Sequence, residues 1–565
     1  MNQPLPSYSS GTSETPLLGM TIGEMLDKTA TQHPETEALV CLHQNIRWTY
    51  KEFVEKVNEA ARAFISIGVK RGDRIGIWAP NRYEWTVTQF ATAKIGAILV
   101  NINPAYGMYE LEYAMNLAGI SVLVTADSFK ASNYRETLYQ LAPELKGGTP
   151  GKLKIQRLPD LLAVINMDTN PHQGMWTWSE FVQFGATVAQ ADLDKLQSEL
   201  QFDDPINIQF TSGTTGNPKG ATLTHHNILN NGFFVAESQR FTEKDRLVIP
   251  VPLYHCFGMV MGNLGCITHG ATMIYPGEGF DPVSVLQAAH QEKATALYGV
   301  PTMFIAQLAE PKFADYDLSS LRTGIMAGSI CPAEVMKKVN DKMHMKEVQI
   351  AYGMTETSPV STQTSSLDPF EKQVTTVGRT QPHLETKIVD PTNGNIVPRG
   401  EVGELCTRGY SVMLKYWNDK EKTAEAIDQA GWMHTGDLAT MDEDGYIQIV
   451  GRIKDMVIRG GENIYPKEIE EFLYTHPDIE EVQVTGIPDE KYGEELVAWV
   501  KLNPDAGPLT GDDLKEFCKG KIAHFKIPRN YKFVDAFPMT VTGKIQKFKM
   551  REISIEDLNQ EAARR

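Results

Sequence analysis

The 565-residue sequence contains few cysteines, and none of them forms a CxxC pair. The six cysteines are scattered along the chain: Cys41, Cys256, Cys266, Cys331, Cys406 and Cys518. This spacing suggests neither a disulfide framework nor a zinc site. We therefore expect reduced, mostly buried thiols in a cytoplasmic protein.

The sequence also lacks an excess of basic residues. It has 54 Lys and Arg against 71 Asp and Glu, which gives a formal net charge of −17. This balance argues against a general nucleic-acid-binding protein. The 42% of hydrophobic residues is ordinary for a globular protein, and the chain is long enough for two or more domains.

No signal or transit peptide is evident at the N-terminus. The first stretch is rich in Ser, Thr and Pro, without a basic start, an apolar run or an arginine, so we expect a flexible arm over residues 1–20. Residues 247–277 contain no Asp, Glu, Lys or Arg and could by length span a bilayer. They do contain Pro250, Pro252 and Pro276, so a buried strand, a turn and a core helix in a soluble protein are favoured.

The chain has no fixed-period repeat, and helical and strand-like patterns alternate through most of it. This alternation predicts an α/β fold with mixed and parallel sheets over a large, multi-subdomain N-terminal domain, residues 21–450. We expect a hinge at 451–455 and a small, mobile α+β domain at 456–565. The elements predicted are helices at 22–31, 50–67, from 466 and 509–523, and strands at 74–79, 121–126, 206–210, 482–486 and 496–502.

The segment Thr211–Gly220, TSGTTGNPKG, is the sharpest local signal. Small residues after a strand let backbone N–H groups approach phosphate oxygens. Hydroxyl donors come from Thr211, Ser212, Thr214 and Thr215, with Gly213 between them and the cation of Lys219 after them. Pro218 stands where a Walker A sequence needs glycine, which excludes that class of nucleotide triphosphatase.

This segment resembles the phosphate loop of the adenylate-forming superfamily, which includes acyl-CoA synthetases, luciferases and peptide-synthetase adenylation domains. Four further motifs follow in the family's order: YGMTE at 352–356, WMHTGD at 432–437, GRIKD at 451–455 and PMTVTGK at 538–544. The resemblance covers residues from about 20 to 550. It implies an enzyme that uses ATP, Mg²⁺ and coenzyme A.

The resemblance assigns the nucleotide site residue by residue. It implies that Tyr352 stacks on adenine, Thr355 contacts the α-phosphate and Glu356 holds Mg²⁺. It also implies that Asp437 binds the ribose, and that Arg452 lies near the ribose and phosphates, with Gly328 and Gly353 completing the pocket. Lys544 would reach in from the small domain during adenylation. Its ammonium group would neutralise the negative charge of the substrate carboxylate and the phosphates as pyrophosphate leaves. Without the resemblance, a core tyrosine, a surface glutamate, a capping aspartate, a salt-bridge arginine and a solvated lysine are the competing interpretations.

The resemblance also implies a thiol pathway and an acyl pocket. Lys454 occupies the hinge position, and Gly460, Gly461 and Glu462 would line the coenzyme A tunnel, although a simple Gly-rich turn is the alternative. The acyl-pocket candidates are His255, Phe257, Met259, Val300, Gly324 and Gly353, with a core or capping role competing for His255. No acidic residue lies in LYHCFG at 253–258, which disfavours an α-amino acid substrate.

The runs YHCFG at 254–258 and MVIRGGENIYPKEIEEFL at 456–473 resemble the medium-chain fatty acyl-CoA synthetase group, which implies a medium-chain fatty acid as substrate. Short-branched and aryl acids stay open. A second hypothesis sends the acyl group to a separate acyl carrier protein, since too few residues follow Lys544 for a fused carrier domain. A luciferase-like oxygenase and a non-catalytic binding protein are disfavoured. We expect small-molecule partners, no transmembrane segment and, from the family, a homodimer.

Overall fold

The computed structural model describes residues 5–211, 218–329, 331–460, 462–489, 491–539 and 545–564. The chain divides into two compact units. The larger consists of Ser9–Thr386 and Thr407–Met433, and the smaller of Met1–Tyr8, Lys387–Cys406 and His434–Arg565. The hinge at 451–455 stays a prediction.

The larger unit contains an eight-stranded sheet that is parallel over most of its width. In sheet order the strands are Trp176–Thr177, Ala163–Asn166, Ile120–Thr125, Arg74–Trp78, Ile98–Asn101, Pro205–Thr211, Lys219–Thr224 and Lys415–Tyr416. The last three strands pair antiparallel with one another, and Pro205–Thr211 pairs parallel with Ile98–Asn101. The strands predicted at 74–79, 121–126 and 206–210 are therefore confirmed to within a residue.

A nine-stranded sheet forms the second layer of the larger unit. Its order is Arg379–Thr380, Val360–Gln363, Glu347–Gly353, Thr323–Ala327, Ala296–Gly299, Arg246–Val248, Thr272–Tyr275, Glu37–Cys41 and Ile46–Thr49. The inner strands from Glu347–Gly353 to Glu37–Cys41 run parallel. Ser128–Phe129 and Ser132–Asn133 form a separate two-stranded ribbon. Parallel strands joined through helices confirm the predicted α/β class.

Helices cover these sheets, and several begin at a side-chain cap. Thr21 and Glu24 form a capping box at the first helix, and Thr49 and Glu52 form another at the second. The predicted helices at 22–31 and 50–67 are thereby confirmed. The helices of the larger unit are Ile22–Gln32, Tyr50–Ser66, Tyr83–Ile95, Met108–Ala118, Tyr134–Leu141, Trp178–Gln183, Gln190–Ser198, His225–Ser238, Gly265–His269, Pro282–Gln291, Pro301–Leu308, Ala333–Lys342, Phe370–Thr375 and Lys420–Ala426.

The uncharged stretch 247–277 lies inside the larger unit. It comprises the end of strand Arg246–Val248, a π-helix at Phe257–Leu264, helix Gly265–His269 and strand Thr272–Tyr275. Every residue of the π-helix is buried. Within the described part of the chain, no helix is both long and apolar enough to cross a bilayer. The predicted strand, turn and core helix are confirmed.

Two sheets contain the strands of the smaller unit, and several strands of the first sheet run past the unit boundaries given above. One has the strand order Tyr8–Ser10, Leu384–Val389, Gly403–Gly409, Met433–Met441 and Ile447–Arg452. The other has the order Glu462–Ile464, Val457–Arg459, Gly493–Leu502 and Ile479–Asp489, with Asn530–Phe533 also paired to Gly493–Leu502. Its helices are Pro466–Leu473, Gly511–Cys518 and Lys547–Arg564. The α+β character predicted for this part of the chain is confirmed.

Two segments differ from the prediction. The helix expected over 509–523 spans Gly511–Cys518, because Gly520 adopts a φ of +72° that an α-helix does not allow. Within the predicted arm, Ser7 donates its N–H to Val397 O at 2.9 Å and accepts from Ile388 N at 2.9 Å. Backbone pairing of this kind needs no apolar side-chain pattern, so periodicity could not indicate it.

Acid sensitivity is expected from His225 in the larger unit. Its ring is fully buried and its Nδ1 accepts a hydrogen bond from Ile22 N at 3.2 Å. Burial lowers the pKa of His225 to about 3. The unfolded chain binds this proton below about pH 6.5, so stability is present above that pH and is lost as pH falls towards 3.

We expect His225→Asn, which keeps an acceptor for Ile22 N but cannot titrate, to flatten this dependence. Between about pH 7 and about pH 5 the melting temperature of the variant should fall less than that of the wild type. His290→Asn at an exposed histidine is the control. Equal slopes for wild type and His225→Asn would contradict the assignment.

Candidate active site

An antiparallel hairpin presents the phosphate-loop motif. Strand Pro205–Thr211 pairs with Lys219–Thr224 so that Thr211 lies opposite Lys219, and Thr211 Oγ1 donates to Lys219 O at 3.4 Å. The two ends of the motif therefore lie side by side, where strand Pro205–Thr211 ends and strand Lys219–Thr224 begins. Ser212, Gly213, Thr214 and Thr215, predicted to bind phosphate, lie outside the described residues.

A cluster of Lys219, Tyr416 and Glu356 lies beside this hairpin. Lys219 Nζ stands 4.3 Å from the centre of the Tyr416 ring, and Tyr416 OH donates to Glu356 Oε1 at 2.7 Å. Burial, with the nearby Glu356 charge, raises the pKa of Tyr416 well above its usual value, so the phenol stays a donor. Glu356 itself is only 5% exposed, which makes its orientation well defined.

Glu356 suits the Mg²⁺ role predicted for it. Hard carboxylate oxygens are ligands that Mg²⁺ prefers. The hydrogen bond from Tyr416 engages Oε1, and no hydrogen bond to Oε2 is found among the described residues. Sequence reasoning missed Tyr416, because the segment SVMLKYW carries no motif and the tyrosine reaches Glu356 only through pairing of Lys415–Tyr416 with Lys219–Thr224.

Four further predicted positions lie at the carboxyl ends of neighbouring parallel strands or directly after them. Val300 comes after strand Ala296–Gly299, Gly328 after Thr323–Ala327, and Tyr352 and Gly353 end Glu347–Gly353. Carboxyl ends of parallel strands are where α/β proteins bind ligands. A Cβ on Gly353 would lie 1.7 Å from Pro359 O, so only glycine fits there.

Thr355 lies at the carboxyl ends of these parallel strands, whereas Gly324 does not. Thr355 opens the turn Thr355–Thr357 directly after strand Glu347–Gly353, next to Glu356. Gly324 lies at the opposite end of its strand, where a Cβ would meet Leu297 O at 2.0 Å. The structure therefore does not bring Gly324 together with the other acyl-pocket candidates.

The remaining acyl-pocket candidates lie at or before the π-helix. His255 is partly exposed, and its carbonyl accepts from Gly258 N at 3.0 Å and Met259 N at 3.1 Å. The Phe257 ring packs 5.4 Å from that of Tyr298. Met259 Sδ is approached by the amides of Asn101 and Gln209, each at 3.1 Å. Met259 thus contacts a buried polar network as well as apolar neighbours.

In the smaller unit, Asp437 and Arg452 face each other on adjacent strands. Arg452 Nε lies 2.9 Å from Asp437 Oδ1. The part of strand Met433–Met441 before Asp437 is held by Glu404, whose Oε1 accepts from Gly436 N at 3.0 Å, and by Thr435 Oγ1, which donates to Leu405 O at 2.6 Å. The predicted ribose-binding carboxylate is therefore rigidly placed. Glu404 carried no sequence signal.

The predicted hinge and coenzyme A loop lie further along the smaller unit. Lys454 is exposed on the turn Ile453–Asp455. Gly460, with φ of +61°, joins strands Val457–Arg459 and Glu462–Ile464, and Gly460 N donates to Tyr492 O at 2.8 Å. Glu462 is exposed at the start of its strand. Gly461 and Lys544 lie outside the described residues.

A group of cations surrounds Tyr492 next to that loop. Lys491 Nζ and the guanidinium carbons of Arg459 and Arg529 lie 5.0, 5.5 and 5.4 Å from the centre of the Tyr492 ring. Lys491 lowers the pKa of the Tyr492 phenol, chiefly by hydrogen bonding. Sequence reasoning missed this cluster, because its members come from three separate segments.

Comparison with known proteins agrees with this arrangement. The family model described as AMP-binding enzyme matches residues 26–417, and that of the AMP-binding enzyme C-terminal domain matches residues 468–544. A Bacillus subtilis protein named as an acyl-CoA synthetase, YngI, is 51% identical over 96% of this chain and 98% of its own length. The human mitochondrial medium-chain acyl-CoA ligase ACSF2 is 47% identical over 98% of this chain and 90% of its own.

Solved structures show the same fold. The anthranilate CoA ligase AuaEII with anthranoyl-AMP superposes with a TM-score of 0.82 at 26% identity, covering 96% of this chain and 98% of that one. ATP-bound MatB from Rhodopseudomonas palustris gives a TM-score of 0.81 at 28% identity, covering 94% and 99%. With family models matching both the larger and the smaller part of the sequence, the chain belongs to the AMP-binding enzyme family.

Proposed function

We propose that this enzyme joins a medium-chain fatty acid to coenzyme A. It is an AMP-forming acid–thiol ligase: the acid and ATP give acyl-AMP and pyrophosphate, and coenzyme A then displaces AMP to give the thioester. The observation that carries the first step is the Lys219–Tyr416–Glu356 cluster at the ends of the phosphate-loop motif. It combines a cation for phosphate oxygens with a buried, oriented carboxylate.

Adenylation requires that a substrate carboxylate oxygen attack the α-phosphorus while pyrophosphate leaves. Lys219 and Lys544 supply positive charge, which is most effective in a water-poor site. Glu356 would hold Mg²⁺, which would supply positive charge to the phosphate oxygens. We assign Thr211, Ser212, Thr214, Thr215 and Thr355 to the phosphates, Tyr352 to the adenine, and Asp437 with Arg452 to the ribose.

Two observations support an apolar acid. The segment at 253–258 has no carboxylate to pair with a substrate ammonium, and the π-helix that follows it is wholly buried. Relatives at 46–48% identity are named medium-chain acyl-CoA ligases, which favours coenzyme A over a carrier protein as acceptor. We assign His255, Phe257, Met259, Val300 and Gly353 to the acyl end of the site.

The cations around Tyr492 support the second step. Arg459 is largely buried and pairs with Glu495 at 2.9 Å, whereas the Arg529 side chain is 52% exposed and lies 3.4 Å from the same carboxylate. Lys491 is exposed. Arginine and lysine in this setting suit the phosphate groups of coenzyme A, whose thiol would pass Gly460, Gly461 and Glu462.

We expect Lys491→Ala and Arg529→Ala to raise the KM for coenzyme A about tenfold each, while ATP–pyrophosphate exchange stays at the wild-type rate. Lys519→Ala, at an exposed lysine paired with Glu516 in the same unit, is the matched control. Unchanged KM values, or loss of the exchange reaction, would remove these residues from coenzyme A binding.

A cytoplasmic location and a homodimer complete the proposal. The structure describes all six cysteines and no two of them form a disulfide, which suits a reducing compartment, and cell fractionation tests this location. The dimer rests on the family resemblance alone, and light scattering coupled to size exclusion tests it.

The proposed function is tested by coenzyme A-dependent AMP formation across acids from acetate to palmitate, with benzoate and phenylacetate included. An optimum at octanoate or its neighbours, with the acyl-CoA confirmed by mass spectrometry, is the expected result. Acyl-AMP accumulation without AMP release for every acid would move the acceptor to a carrier protein. An optimum on benzoate would replace the fatty acid by an aryl acid.

A further inference from the structure

Three side chains of different metal-binding type meet on the first sheet of the smaller unit. Glu404 and Cys406 lie two residues apart on strand Gly403–Gly409, hence on one face, and His434 lies near the start of strand Met433–Met441. One ligand atom from each, a carboxylate oxygen, the thiol sulfur and a ring nitrogen, lies within 4.8 Å of the other two. Among the described residues this is the one such group of three.

The distances suit a small tetrahedral ion. His434 Nδ1 lies 2.8 Å from Glu404 Oε2 and 3.6 Å from Cys406 Sγ. Zinc–ligand bonds of about 2.0–2.3 Å put neighbouring tetrahedral ligand atoms about 3.3–3.8 Å apart. The nitrogen–sulfur distance already falls in this range. The nitrogen–oxygen pair needs to open by about half an ångström as its hydrogen bond is replaced.

The surroundings of the three residues orient them and leave access for an ion. Glu404 Oε1 accepts from Gly436 N at 3.0 Å, so the carboxylate is held with Oε2 towards His434. Such outer contacts are what orient ligands in metal sites. Cys406 is fully buried, while the side chains of Glu404 and His434 are 11% and 33% exposed. An ion would enter on the imidazole side, and water would complete the coordination there.

We propose that Glu404 Oε2, Cys406 Sγ and His434 Nδ1 bind one Zn²⁺ ion. Thiolate, imidazole and carboxylate together are a zinc donor set, and three protein ligands leave a fourth position for water. On binding, the Cys406 thiol releases its proton to solvent as the sulfur–zinc bond forms. His434 Nδ1, which donates to Glu404 Oε2 in the metal-free protein, loses its proton by exchange with solvent, and the ring binds the ion as the neutral tautomer with its proton on Nε2. The cysteine spacing gave no sign of this site, because its ligands come from two strands and include a single cysteine.

Co²⁺ titration of tag-free protein tests the proposal, because a cobalt–thiolate bond gives a charge-transfer band in the near ultraviolet. We expect one equivalent of Co²⁺ to produce this band and Zn²⁺ to abolish it by displacement. The band should be lost in Cys406→Ser. Binding should weaken at least tenfold in His434→Gln, and Cys331→Ser, at a partly exposed cysteine outside the cluster, should match the wild type.

Any one of three results would overturn the site. They are a missing band in the wild type, a band that survives in Cys406→Ser, and an unchanged Co²⁺ affinity in His434→Gln. Because Cys406 is fully buried, Cys406→Ser is the variant at greater risk of misfolding. His434→Gln changes a partly exposed side chain and decides the question if Cys406→Ser does not fold. Melting temperatures of the metal-free variants show which of them are folded.

Discussion

Lys544→Ala is expected to abolish acyl-adenylate formation while thioester formation from supplied acyl-AMP survives. Adenylation moves negative charge from the attacking carboxylate and the α-phosphate onto pyrophosphate, and a positioned ammonium stabilises that change. Removing one such electrostatic group costs about 10²–10³ in rate in other enzymes. Thiol attack on a preformed acyl-AMP releases AMP and involves no pyrophosphate, so it does not need this charge.

The two half-reactions are measured separately. ATP–pyrophosphate exchange reports adenylation, and acyl-CoA formation from synthetic acyl-AMP reports thioester formation. Lys549→Ala, at an exposed lysine of the following helix, is the matched control. Equal loss of both half-reactions in Lys544→Ala would contradict the assignment of this lysine to the first step.

Glu356→Gln is expected to lower the adenylation rate about a hundredfold and to raise the Mg²⁺ concentration needed for half-maximal rate. The substitution removes the negative charge but keeps an oxygen that Tyr416 OH can bond, so the packing around this buried position is preserved. The measurement is the adenylation rate as a function of Mg²⁺ at saturating ATP. An unchanged Mg²⁺ dependence would remove Glu356 from the metal site.

Tyr416→Phe tests whether Tyr416 supports Mg²⁺ binding by orienting the Glu356 carboxylate. It deletes the hydrogen bond to Glu356 but keeps the ring beneath Lys219 Nζ. We expect a loss of about tenfold at low Mg²⁺, since one hydrogen bond to a charged group is worth about 1.5–3 kcal/mol, and recovery at high Mg²⁺. A loss that Mg²⁺ does not restore would instead indicate a structural role for the phenol.

The elements best predicted from the sequence are those governed by local chemistry. Thr21 with Glu24 and Thr49 with Glu52 satisfy helix N-termini within four residues, so both helix starts could be predicted. The uncharged stretch at 247–277 could be assigned to the interior because its prolines disfavour a membrane helix. The phosphate-loop motif could be placed after a strand for the same local reasons.

Other features depend on partners far apart in the chain. Tyr416 and Glu356 are sixty positions apart, and sheet pairing alone brings the phenol to the carboxylate. Strand Tyr8–Ser10 is defined by backbone hydrogen bonds that no side-chain pattern encodes. Gly324 follows the family pattern in sequence, yet it lies near the amino end of strand Thr323–Ala327, whereas Gly328 follows the carboxyl end.

By itself, the sequence determined the reaction class and the α/β organisation through the order of its motifs, and it predicted the residue types that meet ATP. These are properties of contiguous segments, where residue identity and spacing are sufficient. Only the tertiary structure decided which side chains orient those residues, as Tyr416 does for Glu356 and Glu404 for the strand segment before Asp437. Such pairs form when strands from distant segments come into register. The strength of each hydrogen bond depends on the distance between its two atoms and not on their separation along the chain.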